Sequence, residues 1–117
     1  LVLSVGAIQK RKNTRRLIEA FRAMPAPWQL LIAGSAGFAA DQLPSPLPPN
    51  VRLLGYVSDA ELASLYQQAA ILAFPSLDEG FGIPLLEAMA NGLAILTSPL
   101  SAMPEVAGPA ALYADPH

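Results

Sequence analysis

The hydrophobic residues of this chain fall in short blocks that are mostly apolar at consecutive positions, separated by longer mixed segments. The blocks occupy positions 1–5, 28–33, 51–54, 71–74, 93–96 and 110–113. A strand that is apolar at consecutive positions, rather than at alternate ones, is typically buried on both faces of its sheet. The pattern therefore predicts six short strands in a sheet that other elements cover on both sides.

The segments between these blocks carry helix signals. Asn13 is suited to cap a helix whose apolar residues recur at helical spacing until Pro25 and Pro27 end it. The stretch Ser58-Asp-Ala-Glu61 has the pattern of a capping box, so a second helix is predicted to begin there. The buried stripe of this second helix is expected to consist of Leu62, Leu65, Tyr66 and Ala69.

A third helix is predicted after the fourth apolar block. Pro84 suits its first turn, where a missing N–H costs no intrahelical hydrogen bond, and Gly92 is expected to end it. Residues 35–50 contain four prolines and are predicted to form a loop. Strands and helices mostly alternate, which predicts an α/β fold with a Rossmann-like parallel sheet covered by helices on both faces. Residues 1–117 are expected to form one domain.

Composition narrows the possible functions. The chain has 117 residues, 53% of them hydrophobic and 14% charged, as expected of a packed globular domain. It contains no cysteine, and its only histidine is the last residue, which excludes thiolate chemistry and makes a histidine cluster inside the fold implausible. The net charge of −2 argues against general nucleic-acid binding. Five of the seven basic residues nevertheless lie between positions 10 and 16.

Two carboxylates eight positions apart mark the stretch from Glu79 to Glu87. The intervening Gly-Phe-Gly turn lets backbone N–H groups approach a ligand closely, and the helix that follows favours an anion at its first turn. Carboxylates accept hydrogen bonds from sugar and ribose hydroxyls. The pattern suits a nucleotide-sugar diphosphate. Alone, Glu79 would be an ordinary loop carboxylate and Glu87 an exposed helical one, and only the whole string favours a site.

The string Pro75-Ser-Leu-Asp-Glu-Gly-Phe-Gly-Ile-Pro-Leu-Leu-Glu-Ala-Met-Ala90 resembles the E-x7-E signature of retaining glycosyltransferases of family 4, which have the GT-B fold. Segments 5–13, 54–62 and 101–108 resemble further parts of that family in the same order. The resemblance covers nearly the whole chain. It implies the C-terminal, donor-binding half of a GT-B enzyme, which transfers a hexose with retention at the anomeric carbon.

The resemblance also implies roles for individual residues. Glu79 would contact the donor sugar and Lys12 the donor diphosphate, and these two are the expected catalytic residues. The backbone N–H groups of Phe81 and Gly82 would approach the sugar and phosphate, and Glu87 would hold the ribose. The remaining donor-binding positions are Gly6, Arg11, Val57, Gly80 and Ile83.

One departure from the family concerns the donor. Many members carry an arginine directly after the glycine that ends the first strand, where this chain has Ala7. Mannosyltransferase-like members that lack the arginine have a basic turn similar to Arg11-Lys12-Asn13, which points to mannose, donated by GDP-mannose. Arg11 either supplies the second charge or decorates the surface. No D-x-D pair is present, so we expect no metal and no cofactor beyond the nucleotide-sugar substrate.

The implied partners are a nucleotide-diphosphate sugar and an N-terminal acceptor-binding domain of the same parent chain, with a membrane-associated acceptor reached through that domain. We expect a cytoplasmic protein, no nucleic-acid partner, and no sugar transfer by this stretch alone. The alternative is a non-catalytic sugar-nucleotide-binding module that regulates or scaffolds a partner. A dinucleotide-binding Rossmann domain is disfavoured, because no G-x-G-x-x-G follows the first strand.

Overall fold

The computed structural model describes residues 1–6, 13–35, 43, 46–75, 83–99, 103–104, 108 and 111–113. Within these residues, strands and helices alternate over most of the chain. In chain order the elements are β1 (Val2–Val5), α1 (Thr14–Phe21), β2 (Leu30–Ala33), β3 (Val51–Gly55), α2 (Asp59–Gln68), β4 (Ile71–Phe74), α3 (Ile83–Ala90), β5 (Ala94–Thr97) and β6 (Ala111–Tyr113). All six predicted strands are therefore present.

The strands form one sheet in the order β3-β2-β1-β4-β5-β6. Every neighbouring pair is parallel. In the centre of the sheet, Leu3 of β1 lies between Leu31 of β2 and Leu72 of β4. The parallel Rossmann-like sheet predicted from the consecutive apolar blocks is confirmed. All strands point the same way, so one edge of the sheet carries their carboxyl ends and the opposite edge their amino ends.

The helices cover both faces of the sheet. Neighbouring residues on a strand point to opposite faces, so Val2 and Leu3 belong to different cores. The α1 core, on one face, consists of Val2, Leu17, Ile18, Phe21, Leu30, Ile32, Val51 and Ala73. The α2–α3 core, on the other, consists of Leu3, Ala33, Tyr66, Leu72, Phe74, Leu85, Ala88, Leu93, Ile95 and Met103.

Helix α2 begins at the predicted capping box. The Ser58 hydroxyl accepts a hydrogen bond from the backbone N–H of Glu61 at 3.2 Å, and the Glu61 carboxylate accepts one from the backbone N–H of Ser58 at 3.1 Å. The backbone N–H of Ser58, and then its hydroxyl, favour the charged carboxylate and lower the pKa of Glu61 below its usual value. The predicted stripe is also confirmed: Tyr66 is buried, and Leu62, Leu65 and Ala69 pack against the α2–α3 core.

Helix α3 ends as predicted at Gly92. This glycine has a left-handed φ of 74°. Its N–H donates to the carbonyl of Met89 at 3.2 Å, while the N–H of Leu93 donates to the carbonyl of Ala88 at 3.0 Å. These paired bonds are those of a Schellman motif, which returns the chain directly to β5.

Helix α1 differs from the prediction at both ends. Asn13 occupies the capping position with a left-handed φ of 62° and its side chain makes no capping hydrogen bond. Asparagine tolerates this conformation better than most residues. The helix ends at Phe21, before the prolines, where the Asn50 side chain donates to the Phe21 carbonyl at 2.9 Å. Trp28, predicted to start the second strand, is instead held in a turn by its N–H bond to the carbonyl of Pro25.

Candidate functional site

The two segments that carry the predicted chemistry leave neighbouring strands. From Gly6, after β1, the chain continues towards Lys12; from Pro75, after β4, it continues towards Glu79. β1 and β4 are hydrogen-bonded parallel neighbours at the point where the strand order changes direction. In open α/β sheets, ligands bind outside the carboxyl ends of the strands at this switch point. The fold therefore starts both segments from the place where a ligand is expected.

Six of the predicted site residues lie outside the described residues. They are Arg11, Lys12, Glu79, Gly80, Phe81 and Gly82. Their roles stay predictions. The other four are described: Gly6 directly follows β1, Val57 lies between β3 and α2, and Ile83 and Glu87 belong to α3.

Glycines line this edge after the first three strands. The N–H of Gly6 donates to the carbonyl of Ala33 at 2.9 Å, and the N–H of Gly34 donates to the carbonyl of Gly55 at 2.8 Å. All three glycines have positive φ, with 127° at Gly6. The ends of β1, β2 and β3 are thus tied into one row that carries no side chains beyond hydrogen, and a ligand can approach the backbone closely there.

Val57 lines a cavity beside the end of β3. The cavity has a volume of about 370 Å³ and lies between β3 and the first turns of α2. Its lining residues are Leu54, Tyr56, Val57, Glu61, Ser64 and Leu65. The Tyr56 side chain is 84% exposed, so a large aromatic ring stands open to solvent at the mouth. An apolar hollow with an aromatic ring suits a flat heterocyclic ligand.

Helix α3 carries Ile83 and Glu87. Because α3 ends next to the start of β5, its first turn lies at the carboxyl edge, and Ile83 there is 57% exposed. Glu87 follows four residues later, about 6 Å along the helix axis, and is partly buried. Helical side chains lean towards the helix N-terminus, so the Glu87 carboxylate leans towards the carboxyl edge.

Sequence analysis identified Tyr66 only as a core residue. The residue is 2% exposed, and its hydroxyl has no hydrogen-bond partner within the described part of the structure. Burial raises the pKa of Tyr66 above its usual value, and the nearby Glu87 carboxylate raises it further, by its charge and as an acceptor facing the hydroxyl. No signal in the sequence links these residues of different helices.

A second group that sequence analysis missed lies at the carboxyl end of β5. Thr97 and Ser98 are almost fully buried although both are polar. The Thr97 hydroxyl donates to the carbonyl of Phe74, the last residue of β4, at 2.7 Å. This bond fixes the end of β4 to β5 directly before the segment that leads to Glu79. Thr97 lies one residue beyond the predicted strand, so the sequence pattern did not mark it.

Within the described residues, no group of three or more histidine, aspartate or glutamate side chains could hold a metal ion. Among the helices that the structure describes, none has the length and apolar character needed to cross a membrane.

Comparisons with known proteins agree on one family. The sequence model of the family described as "Glycosyl transferases group 1" matches residues 1–116. The chain is 37% identical to O-antigen chain mannosyltransferase B of Escherichia coli over 98% of its own length and 32% of that protein. It is 32% identical to a GDP-mannose:cellobiosyl-diphosphopolyprenol alpha-mannosyltransferase of Komagataeibacter xylinus, over 83% of this chain and 27% of the relative. The chain therefore spans about a third of the length of these relatives.

A solved structure agrees with the sequence comparisons. The C-terminal domain of a glycosyl transferase group 1 family protein (LpcC) from Francisella tularensis superposes with a TM-score of 0.73 at 29% identity. The superposition covers 89% of this chain and 60% of that domain. The parallel sheet with helices on both faces is thus the Rossmann-like arrangement found in GT-B proteins.

Proposed function

The chain belongs to the group 1 glycosyl transferases, and on that basis we propose that it is the donor-binding domain of a retaining glycosyltransferase. The proposed enzyme transfers mannose from GDP-mannose to an acceptor held by another domain of the same parent chain. The observation that carries this proposal is the adjacency of β1 and β4. It starts the Lys12 and Glu79 segments from one point of the carboxyl edge, towards which Glu87 leans from α3.

Each part of the donor has a proposed partner. Glu87 accepts hydrogen bonds from the two ribose hydroxyls, which suits a carboxylate with two acceptor oxygens. Lys12 neutralises the diphosphate. Glu79 holds a hydroxyl of the donor sugar, and the backbone N–H groups of Phe81 and Gly82 face the phosphate and the sugar. The base occupies the cavity beside Val57, where the exposed ring of Tyr56 offers a stacking surface.

This arrangement would stabilise the charge that develops during sugar transfer. As the bond between the sugar and the diphosphate breaks, negative charge grows on the leaving diphosphate and the sugar ring becomes oxocarbenium-like. A fixed ammonium group and backbone N–H groups at the start of α3 stabilise that negative charge. Removing one donor of this kind typically costs about 3 kcal/mol of transition-state stabilisation. The proposed chemistry requires no metal ion.

The identity of the sugar rests on relatives and on the basic turn. Two relatives that match at 32% or more are mannosyltransferases by name, and one of those names specifies GDP-mannose. This chain has Arg11-Lys12-Asn13 in place of the arginine that would follow Gly6 in other members. Because the chain spans about a third of these relatives, we assign acceptor binding to the remainder of the parent protein.

Isothermal titration of the 117-residue chain with GDP, UDP and ADP tests the donor proposal. We expect GDP to bind most tightly, with a Kd between about 10 μM and 1 mM, and we expect the affinity to be the same with EDTA as with magnesium. No binding of any nucleoside diphosphate at millimolar concentration would contradict the proposed function. A strict requirement for magnesium would contradict the metal-independent mechanism only.

A further inference from the structure

The cavity beside Val57 carries two polar side chains to which the proposed function gives no role. Glu61 and Ser64 both line it, together with Tyr56, which is 84% exposed. They stand three positions apart on α2, and residues at this spacing are neighbours on one helix face, with Cβ atoms about 5–6 Å apart. The cavity therefore presents a carboxylate and a hydroxyl side by side, next to an aromatic ring.

The Glu61 carboxylate is held in place from within the protein. It accepts a hydrogen bond from the backbone N–H of Ser58 at 3.1 Å, while the backbone N–H of Glu61 donates to the Ser58 hydroxyl at 3.2 Å. An ionised carboxylate has about four acceptor sites, so the group can accept further hydrogen bonds from a ligand. Because the bonds from Ser58 lower the pKa of Glu61, the carboxylate is charged at neutral pH.

The Ser64 hydroxyl is suited to donate. Its oxygen accepts a hydrogen bond from Nε2 of Gln68 at 2.8 Å. A hydroxyl carries one proton besides its two lone pairs, and the bond from Gln68 uses a lone pair and leaves the proton for another acceptor. The cavity thus offers a donor at Ser64 beside an acceptor at Glu61.

We propose that Glu61 and Ser64 recognise the Watson–Crick edge of guanine and so select GDP-linked donors over donors with uracil or adenine. Guanine presents on this edge one acceptor, O6, followed by two donors, the N1–H and the N2 amino group. Proteins distinguish unpaired bases by hydrogen bonds to this edge. The Ser64 hydroxyl donates to O6, the Glu61 carboxylate accepts from both donors, and the ring of Tyr56 stacks on the base.

The other common bases do not match this pair of side chains. Adenine has a donor where guanine has O6, and its N1 is an acceptor that would face the carboxylate. Uracil has a single donor between two carbonyl oxygens, so one of these oxygens would lie against the carboxylate. A site that hydrogen-bonds its ligand disfavours ligands that leave its polar groups unmatched. Both side chains are exposed to competing water, so we expect a selectivity of about tenfold.

This inference rests on the proposed function, because it assumes that the base of the donor lies in this cavity. The test is isothermal titration of the 117-residue chain and its Glu61→Gln variant with GDP, UDP and inosine diphosphate, whose base lacks the N2 amino group. Glutamine also completes a capping box, so the thermal unfolding midpoint should stay the same. We expect Glu61→Gln to weaken GDP binding roughly fivefold to tenfold, to weaken inosine diphosphate binding less, and to leave UDP binding unchanged.

Two further variants complete the test. Ser64→Ala should weaken the binding of GDP and inosine diphosphate alike, by about threefold, because both bases carry O6. Glu19→Gln removes the same charge from α1, where Glu19 pairs with Arg22, and it should leave all three affinities unchanged.

The possible failures can be told apart. If the unmodified chain binds GDP and Glu61→Gln binds all three ligands equally well, the recognition of guanine is overturned while the proposed donor binding stands. Equal losses for all three ligands in Glu61→Gln would have the same meaning, since the base would then make no difference. Tighter binding of UDP than of GDP to the unmodified chain would also overturn the assignment. If that chain binds no nucleoside diphosphate, the proposed function falls, and this inference with it.

Discussion

The two edges of the sheet carry cavities of different size and different character. At the amino edge, a hollow of about 550 Å³ is lined by Arg22, Trp28, Asn50 and neighbouring prolines. The hollow beside Val57 at the carboxyl edge is smaller, at about 370 Å³. Cavity volume alone would therefore favour the amino edge, opposite to the site that we propose.

The groups at the two edges show why the larger hollow is not the candidate site. At the amino edge, Asn50 donates to the Phe21 carbonyl, and Arg22 pairs with Glu19 at 2.9 Å and donates to the Pro46 carbonyl at 3.0 Å. These side chains are engaged in holding α1 to its connections. At the carboxyl edge, by contrast, β1, β2 and β3 end at the glycine row of Gly6, Gly34 and Gly55. The side chains of the amino edge are thus engaged within the protein, whereas the glycine row leaves the carboxyl edge open to close approach by a ligand.

The largest effect should come from removing the carboxylate at the carboxyl edge. We expect Glu87→Ala to weaken GDP binding about 30-fold, or about 2 kcal/mol, because hydrogen bonds to a charged group are lost. Trp28→Ala, which removes part of the wall of the larger hollow at the amino edge, should leave GDP affinity unchanged. Calorimetric titration of both variants measures the contrast. A loss of affinity in Trp28→Ala with none in Glu87→Ala would reverse our assignment of the two edges.

The next effect concerns stability at the amino edge. Asn50→Ala should lower the free energy of unfolding by about 1 kcal/mol, because the Phe21 carbonyl loses one of its two hydrogen-bond donors and keeps only the N–H of Met24, and it should leave GDP affinity unchanged. Gln29→Ala is the matched control, since Gln29 lines the same hollow with an exposed side chain. Urea unfolding should separate the two variants. Equal unfolding free energies for them would show that the Asn50 bond contributes nothing to stability.

The smallest effect is one of pH. The pKa of Tyr66 is raised in the folded chain above the value of about 10 for an unfolded tyrosine. Below pH 10 both states keep the proton, and stability is unaffected. Above pH 10 the unfolded chain releases the proton while the folded chain retains it, so stability falls as the pH rises. Urea unfolding between pH 8 and 11 should show a shallower decline for Tyr66→Phe than for Tyr113→Phe. Identical declines would contradict a raised pKa.

Signals that act within a few residues predicted the fold well. The apolar blocks marked all six strands, the Ser58 capping box marked the start of α2, and Gly92 marked the end of α3. Each of these features is decided by neighbours in the sequence. The helix α1 ends before the prolines, in a turn whose last carbonyl, that of Phe21, also accepts a hydrogen bond from Asn50, 29 positions away, and sequence spacing does not show that contact.

The site was predictable only in part, for the same physical reason. The E-x7-E string predicted a site at Glu87 from residue types and spacing, and that role stays a prediction. Periodicity indicates strands without giving their order, so the adjacency of β1 and β4 was not foreseen. The roles of Lys12 and Glu79 stay predictions, since both residues lie outside the described part of the chain.

The pairing of β1 with β4 has a consequence for how the protein is made. Leu3 lies opposite Leu72, so the two strands are 69 positions apart along the chain. A ribosome adding 5–20 residues per second needs roughly 3 to 14 s to pass from the first strand to the fourth. Throughout that interval the edge of β1 that pairs with β4 has no partner strand. A ligand of the site proposed between β1 and β4 could therefore stabilise only a chain in which this central pair has already formed.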